Sequence, residues 1–352
     1  MKTLILPVSG KSSRFKNTRP KWLLTMPDGK LMFEKSVEQL SLNFFSRIII
    51  VCVKEHLNKY IDKYSLLGIL KSLNHKNVEL CVLDSYTKSQ SETIAKALIK
   101  SNVKGSFFVK DCDNMFKFSW NGKNQIAVVD LNNIGETKAS EKSYVITDKL
   151  NNVLNIVEKK VVSNTFCCGG YGFESADLFL KYFKPIRSNS EIYISHVIYN
   201  MLLDKILFSA RYAEEYQDWG TKKEYFDYIR SFTTIFCDID GVLFYNGSKF
   251  SKQKWKTDPI LENLEKIKAL QDLGKIFLVV TTSRPESEKK YLKNTLLKHG
   301  VKVNKFVMGL PHSKRIIIND FSSTNPYPSA ISINIERESK SLSKILEYIS
   351  ET

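Results

Sequence analysis

Short apolar runs alternate with amphipathic segments along this chain, and the alternation restarts near residue 232. Leu4–Val8 reads as a strand, Phe33–Phe44 as a helix, and Ile48–Val53 and Val78–Leu83 as strands. Glu92–Lys100 reads as a helix and Phe107–Val109 as a strand. Such alternation predicts an α/β, mostly parallel sheet with helices on both faces. Ligands bind these sheets at the carboxyl ends of the strands. The second series opens with strand Thr234–Cys237. Ile260, Leu261, Leu264, Ile267 and Leu270 then recur at three- and four-residue spacing, so Asp258–Leu273 reads as an amphipathic helix. Strand Ile276–Val280, helix Glu286–Lys298 and strand Ile316–Ile318 follow, then Ile331–Ile335 and a helix from Leu342 to Ile349. A chain of 352 residues has room for two domains. The expected division is 1–231 and 232–352.

Composition narrows the class. No apolar run approaches the ~20 residues of a membrane helix. Thr3–Val8 is too short for a signal-peptide core. The 6 cysteines show no CxxC or Cys/His metal spacing, which fits reduced thiols in a cytoplasmic protein. The net charge of +16 raises nucleic acid, membrane or anionic small molecules as partners. The excess is spread along the chain, with 34 basic and 24 acidic residues before Phe232 and 19 and 13 from it onward. The excess is not held in a tail or arm, which weakens the nucleic-acid reading and leaves it as a second alternative to an enzyme.

Strand Leu4–Val8 runs into Ser9-Gly10-Lys11-Ser12-Ser13-Arg14, then Pro20-Lys21. Small residues after a first strand let backbone N–H groups approach phosphates. Arg14 offers a bidentate fork for phosphate oxygens and Lys21 a point charge. A Walker loop is excluded because Ile5 stands where its first glycine is needed. Four later stretches follow in order: Gln90-Ser91-Glu92-Thr93, Asp111-Cys112-Asp113-Asn114, Glu158-Lys159 with Gly169-Gly170-Tyr171, and Asp218-Trp219-Gly220. Together with the opening they resemble the sugar-phosphate nucleotidyltransferases over about residues 1–230. The opening loop is serine-rich where that family is glycine-rich, and Lys160 follows Lys159 where the family has proline.

The resemblance implies a Rossmann-like, GT-A-like domain with a mixed sheet that joins an NTP to a sugar or polyol phosphate and releases pyrophosphate. It places the nucleotide on Ser9, Gly10, Lys11, Ser12, Ser13, Gln90, Ser91 and Thr93. It places the phosphorylated substrate on Glu158, Lys159, Gly170, Tyr171, Tyr193 and Ser195. Arg14 would hold the leaving pyrophosphate, Lys21 the α-phosphate and Lys159 the incoming phosphate. Two anions meet in this reaction, so cations and a metal are needed. Mg²⁺ takes oxygen ligands, commonly one or two carboxylates plus phosphates. Asp218 is one candidate; Asp111 and Asp113, two apart on an extended chain, compete for the other. No general base is required, because the attacking phosphate is already ionised.

Strand Thr234–Cys237 ends in Asp238-Ile239-Asp240-Gly241-Val242. Strand Ile276–Val280 ends in Thr281-Thr282-Ser283-Arg284, and Lys314 precedes Asn319-Asp320. These motifs resemble the haloacid dehalogenase (HAD) superfamily over about residues 232–352. The resemblance implies a HAD-like parallel sheet and Mg²⁺-dependent phosphomonoester hydrolysis. Asp238 would be the nucleophile that forms an aspartyl phosphate, and Asp240 the acid and base. Thr282, favoured over Thr281, would hold a phosphoryl oxygen. Lys314, with Lys305 as runner-up, would offset its charge. Asp238, Asp240 and Asp320 would hold the metal. Asn319 stands where many members carry an acid, so a non-catalytic domain is the rival reading. The stretch from Asp240 to Thr282 leaves room for only a minimal cap, so the site is open or covered by a partner domain or subunit, as in a homo-oligomer. The combined expectation is a bifunctional enzyme with Mg²⁺ in both domains. The resemblance places its products in surface-polysaccharide precursor synthesis.

Overall fold

The computed structural model describes residues 1–15, 18–133, 139–186, 191–274, 276–318 and 330–342. The chain divides into two compact units, Met1–Phe226 and Asp227–Thr352. In the first unit the elements are β1 (Lys2–Pro7), α1 (Met32–Ser36), β2 (Arg47–Val53), α2 (Lys54–Lys59), α3 (Lys63–Lys71) and β3 (Val78–Leu83). Next come α4 (Gln90–Lys100), β4 (Ser106–Lys110), β5 (Asn114–Lys117), β6 (Gln125–Asp130), β7 (Ser143–Thr147) and β8 (Val153–Glu158). β9 (Thr165–Phe173), α5 (Ala176–Phe183), α6 (Ile194–Leu203), β10 (Ser209–Tyr212) and β11 (Glu214–Asp218) complete the series, and α7 (Lys222–Arg230) runs across the division at residue 226.

Seven strands form one sheet path, β10-β6-β9-β4-β1-β2-β3, with β7 paired to β8 and β9. β1 runs parallel to β2 and β4, whereas β9 runs antiparallel to β4 and β6, so the sheet is mixed. The central strands are apolar at consecutive positions because both faces are covered. In β2, Ile49, Val51 and Val53 enter one core layer, and Ile48, Ile50 and Cys52 enter the other. All six cysteines are free and buried. Among the described residues no helix is long and apolar enough to cross a membrane.

The expected helix Phe33–Phe44 is not continuous. α1 stops at Ser36, whose hydroxyl donates to the Phe33 carbonyl at 2.7 Å, and a separate 3₁₀ turn covers Leu42–Phe44. Phe33, Val37, Leu40 and Phe45 still reach one core layer. Turns meet the apolar spacing here as well as a helix would.

The second unit carries β12 (Thr233–Asp238), α8 (Leu261–Asp272), β13 (Ile276–Thr281), α9 (Lys289–Lys298) and β14 (Lys305–Val307). Its three strands are parallel in the order β12-β13-β14. Leu264, Ile267, Leu270, Leu292 and Leu296 bury the two helices' apolar stripes in its core. The expected strand Ile316–Ile318 is absent, and its isoleucines are exposed. Isoleucine favours strands through packing against neighbours, and this three-residue run has none. Ile331–Ile335 likewise forms no strand. Leu342 joins the core, and the rest of the expected last helix lies outside the described residues.

Candidate active site

The carboxyl ends of β1 and β4, the β7–β8 hairpin and the segment after β11 border one cleft of about 240 Å³. Arg14, Gln90, Asp111, Asp113, Glu158, Lys159, Tyr171, Tyr193, Ser195 and Asp218 all line it. Sequence positions spread over two hundred residues thus meet at one sheet edge.

The loop after β1 is tied at both ends. Ser9 Oγ lies 2.9 Å from Thr93 Oγ1 on α4, and the Lys21 amide donates to Ser12 Oγ at 3.0 Å. Ser12 adopts φ 51°, and a side chain added at Gly10 would meet nothing within 4 Å. Lys11 and Ser13 are exposed, and Ser91 is buried at the start of α4. Arg14 pairs with Glu141 at 2.9 Å.

The competing aspartates part ways. Asp111 accepts from Gln90 Nε2, and its amide donates to the Gly169 carbonyl at 2.8 Å. Asp113 accepts from Lys21 Nζ. The β5–β11 pairing sets Asn114 opposite Asp218, and the Trp219 amide donates to the Asp113 carbonyl at 2.8 Å. A methyl group at Gly220 would lie 3.2 Å from Asp218 Oδ1 and 3.4 Å from Asp113 Oδ2. The structure therefore brings Asp113, rather than Asp111, together with Asp218.

Electrostatics separates the pair further. Burial and the Asp113 charge push Asp111 up to about 6. Burial acts in the same direction on Asp113, but Lys21 and Lys142 outweigh it and hold that carboxyl down at about 2. Burial would lower Lys21, yet Asp113 raises it well above the usual lysine range.

Lys142, Ser143 and Lys110 were missed by sequence reasoning, and they tie down residues that it named. Lys142 donates to Asp218 Oδ2 and, at 3.2 Å, to the Tyr216 hydroxyl, which itself donates to Asp218 Oδ2 at 3.0 Å. Ser143 and Ser195 both donate to Glu158 Oε2, the latter at 2.6 Å. Lys110 is fully buried, and its ammonium donates to the carbonyls of Asp111 at 2.6 Å and Asn114 at 2.8 Å, which closes the carboxylate loop. Lys159 donates to the Tyr193 hydroxyl and lies 4.3 Å from that ring's centre.

Strand β9 fits against this loop only as glycine. A methyl group at Gly169 (φ 89°) would lie 2.6 Å from Asp111 Oδ2 and Asn114 Nδ2, and one at Gly170 2.8 Å from Phe116. Gly169→Ala is expected to displace both Asp111 and Asn114. An ångström of misplacement costs about 10²-fold in rate. A turnover assay with a thermal melt checks this; unchanged turnover would refute the tight fit.

Among the described residues no cluster of three or more His, Cys, Asp or Glu side chains is placed to hold a metal ion with protein ligands alone. Two converging carboxylates do fit a Mg²⁺ that takes its remaining ligands from phosphates and water.

The second unit has its own cluster. Asp238 ends β12 and accepts from the Ile239 amide at 3.0 Å. Arg315 reaches it at 3.1 Å, while Lys314 and Lys305 are exposed. The cation at Asp238 is thus one residue beyond the expected one. Asp240 and Thr282 meet, with Thr282 Oγ1 donating to Asp240 Oδ2 at 3.1 Å. Arg284 binds both Asp240 oxygens, at 2.7 Å from Nη2 and 3.2 Å from Nε. It is fully buried, and it also donates to the Trp255 carbonyl and to Thr257 Oγ1 at 2.8 Å. Asp320 lies outside the described residues.

No family model and no curated protein matches the chain. Solved structures do share its fold. The nucleoside-diphosphate-sugar pyrophosphorylase of Vibrio cholerae RC9 matches with a TM-score of 0.56 at 21% identity, over 64% of this chain and 99% of its own. A UDP-glucose pyrophosphorylase complexed with UDP-glucose matches with 0.53 at 17% identity, over 66% and 98%. The inositol-1-phosphate CTP transferase of T. maritima matches with 0.50 at 14% identity, over 63% and 90%. Over 64% of its length the chain has the sugar-phosphate nucleotidyltransferase fold. These matches leave about a third of the chain uncovered, and the HAD-like reading of residues 232–352 has no support from them.

Proposed function

We propose that the chain is a nucleotidyltransferase that joins an NTP to a sugar or polyol phosphate with release of pyrophosphate. The observation that carries this reading is the convergence of Asp113 and Asp218 beside Lys21 and Lys142 in one cleft that also holds Glu158 and Lys159. The fold supports it: its matches include a structure complexed with UDP-glucose.

In this mechanism Mg²⁺, held by Asp113 and Asp218, offsets phosphate charge when bound. The chain's own residues do the rest. Ser9, Gly10, Lys11, Ser12 and Ser13 cradle the triphosphate, with Gln90, Ser91 and Thr93 at its nucleoside end. Arg14 leaves Glu141 to hold the departing pyrophosphate. Lys21 takes the α-phosphate, where charge builds in the transition state. Lys159 receives the incoming phosphate. Glu158, fixed by two serine hydroxyls, accepts hydrogen bonds from the acceptor's own hydroxyls beside Gly170, Tyr171, Tyr193 and Ser195. A screen of NTPs against sugar and polyol phosphates, read by pyrophosphate, tests this. Release with one pair is the expected result; none with any pair would sink it.

For the second unit we propose phosphomonoester hydrolysis through Asp238, which stands at the carboxyl end of a parallel strand. In this reading Arg315 would meet a phosphoryl oxygen, and Thr282 would do so only by giving up its hydrogen bond to Asp240. A Mg²⁺ there would draw on Asp238 and Asp320. Asp240 fits that metal and the acid role poorly, because Arg284 holds both its oxygens. Asp238→Asn is expected to abolish phosphate release from p-nitrophenyl phosphate while leaving pyrophosphate release intact. Phosphate release that survives the substitution would rule out Asp238 as the nucleophile.

A further inference from the structure

Lys21 and Lys142 form two matching pairs with aspartates of the cleft, and Lys142 itself lines it. Lys21 holds Asp113, and Lys142 holds Asp218 with the help of the Tyr216 hydroxyl. Both aspartates converge on Gly220. An ammonium held on Oδ2 of each carboxylate opposes a divalent cation there, because it occupies one of the two oxygens and its charge repels the metal.

The place of Lys142 decides where its charge goes. β7 and β8 pair antiparallel with Ser143 opposite Glu158, so Lys142 stands opposite Lys159. The Lys159 amide donates to the Lys142 carbonyl at 3.0 Å. Lys142 therefore bridges the carboxylate pair and the residue set to receive the acceptor's phosphate. Its side chain is 18% exposed, on the cleft side, against the rings of Phe166 and Tyr216 at 5.8 Å. Its ammonium sits on a flexible four-carbon stem, which lets it change partner.

We propose that Lys142 is an exchangeable cation: it neutralises Asp218 in the free cleft and passes to the acceptor's phosphate when Asp218 takes up a divalent cation. This rests on the transferase reading above. It has a thermodynamic consequence. Each ligand removes what opposes the other, so divalent metal and phosphate bind cooperatively, and the coupling is reciprocal. Metal alone binds weakly because the Lys142 ammonium already neutralises Asp218 and repels a second cation.

Mn²⁺ binding to the full chain, followed by calorimetry with and without inorganic phosphate, tests this directly. In the unaltered protein, phosphate should tighten Mn²⁺ binding by about tenfold, a typical coupling strength. Lys142→Met should bind Mn²⁺ alone about tenfold more tightly and lose the phosphate effect, since the competing ammonium is gone. Lys142→Gln, which keeps a hydrogen-bond donor at Asp218 without the charge, should behave the same way and serves if the methionine variant does not fold. Lys142→Arg should retain the coupling. In turnover, Lys142→Gln should raise KM for the phosphorylated acceptor more than KM for the NTP. Unchanged Mn²⁺ affinity in a folded Lys142→Gln protein, or no phosphate effect in the unaltered one, overturns the proposal. The binding measurements do not need turnover, so they read Lys142 separately from whether the chain releases pyrophosphate.

Discussion

Lys21→Met is expected to reduce pyrophosphate release by about 10²–10³-fold, the usual cost of removing one donor aimed at developing charge. The same change has a second effect. Asp113 is a largely buried carboxylate whose low protonation range depends on Lys21. Deleting one partner of a buried pair costs about 3–5 kcal/mol. In the unaltered protein the depressed Asp113 contributes stability above about pH 4, its unfolded range, and that contribution is lost as pH falls toward about 2. Lys21→Met should erase this acid-side dependence. The double variant Lys21→Met/Asp113→Asn should recover stability without recovering turnover. Urea unfolding at pH 3 and pH 7, beside the pyrophosphate assay, separates the two effects. A single variant as stable and as active as the parent would refute both arguments.

Arg284→Met is expected to destabilise the second unit by about 3–5 kcal/mol. Arg284 is 0% exposed, and its guanidinium also lies 5.3 Å from the centre of the Phe244 ring. Its removal strands Asp240 and leaves the Trp255 carbonyl without that donor. Adding Asp240→Asn should return part of the loss, because an amide needs no counter-charge. Chemical denaturation followed through Trp255 fluorescence reads the outcome. A loss below about 1 kcal/mol, the range of an exposed pair, would show that the arginine does not hold the unit together.

What the sequence made legible follows from how much of a signal is local. β1 and β2 could be read because Leu4–Leu6 and Ile48–Val53 are apolar without a break, which only a strand covered on both faces requires. The candidate cleft's residues were named through the resemblance of five ordered stretches to the sugar-phosphate nucleotidyltransferases, which periodicity alone does not supply. Lys142 was not: with 53 lysines and arginines in the chain, one more carries no signal until the β7–β8 hairpin sets it beside Asp218. Asp111 and Asp113 could not be ranked by spacing, because a turn rather than an extended strand separates them and sends one to Gln90 and the other to Lys21. Arg284 was in view beside Thr282, but its burial depends on Trp255 and Thr257, which its own neighbours in sequence do not announce. Ile316–Ile318 shows the opposite error, an apolar run that never gains a packing partner.

The glycines of β9 set a limit on how this cleft can change. Methyl groups at Gly169, Gly170 and Gly172 would fall within 3 Å of the carboxylate loop, Phe116 and Trp120 respectively. Only Gly169 of the three lines the cleft, where a side chain would collide with the carboxylate loop; at Gly170 and Gly172 it would collide with the aromatic core. The opposite wall is built from Glu158, Lys159, Tyr193 and Ser195, whose side chains meet through their polar ends. An effort to retarget the acceptor should therefore draw its library from that wall and leave β9 untouched.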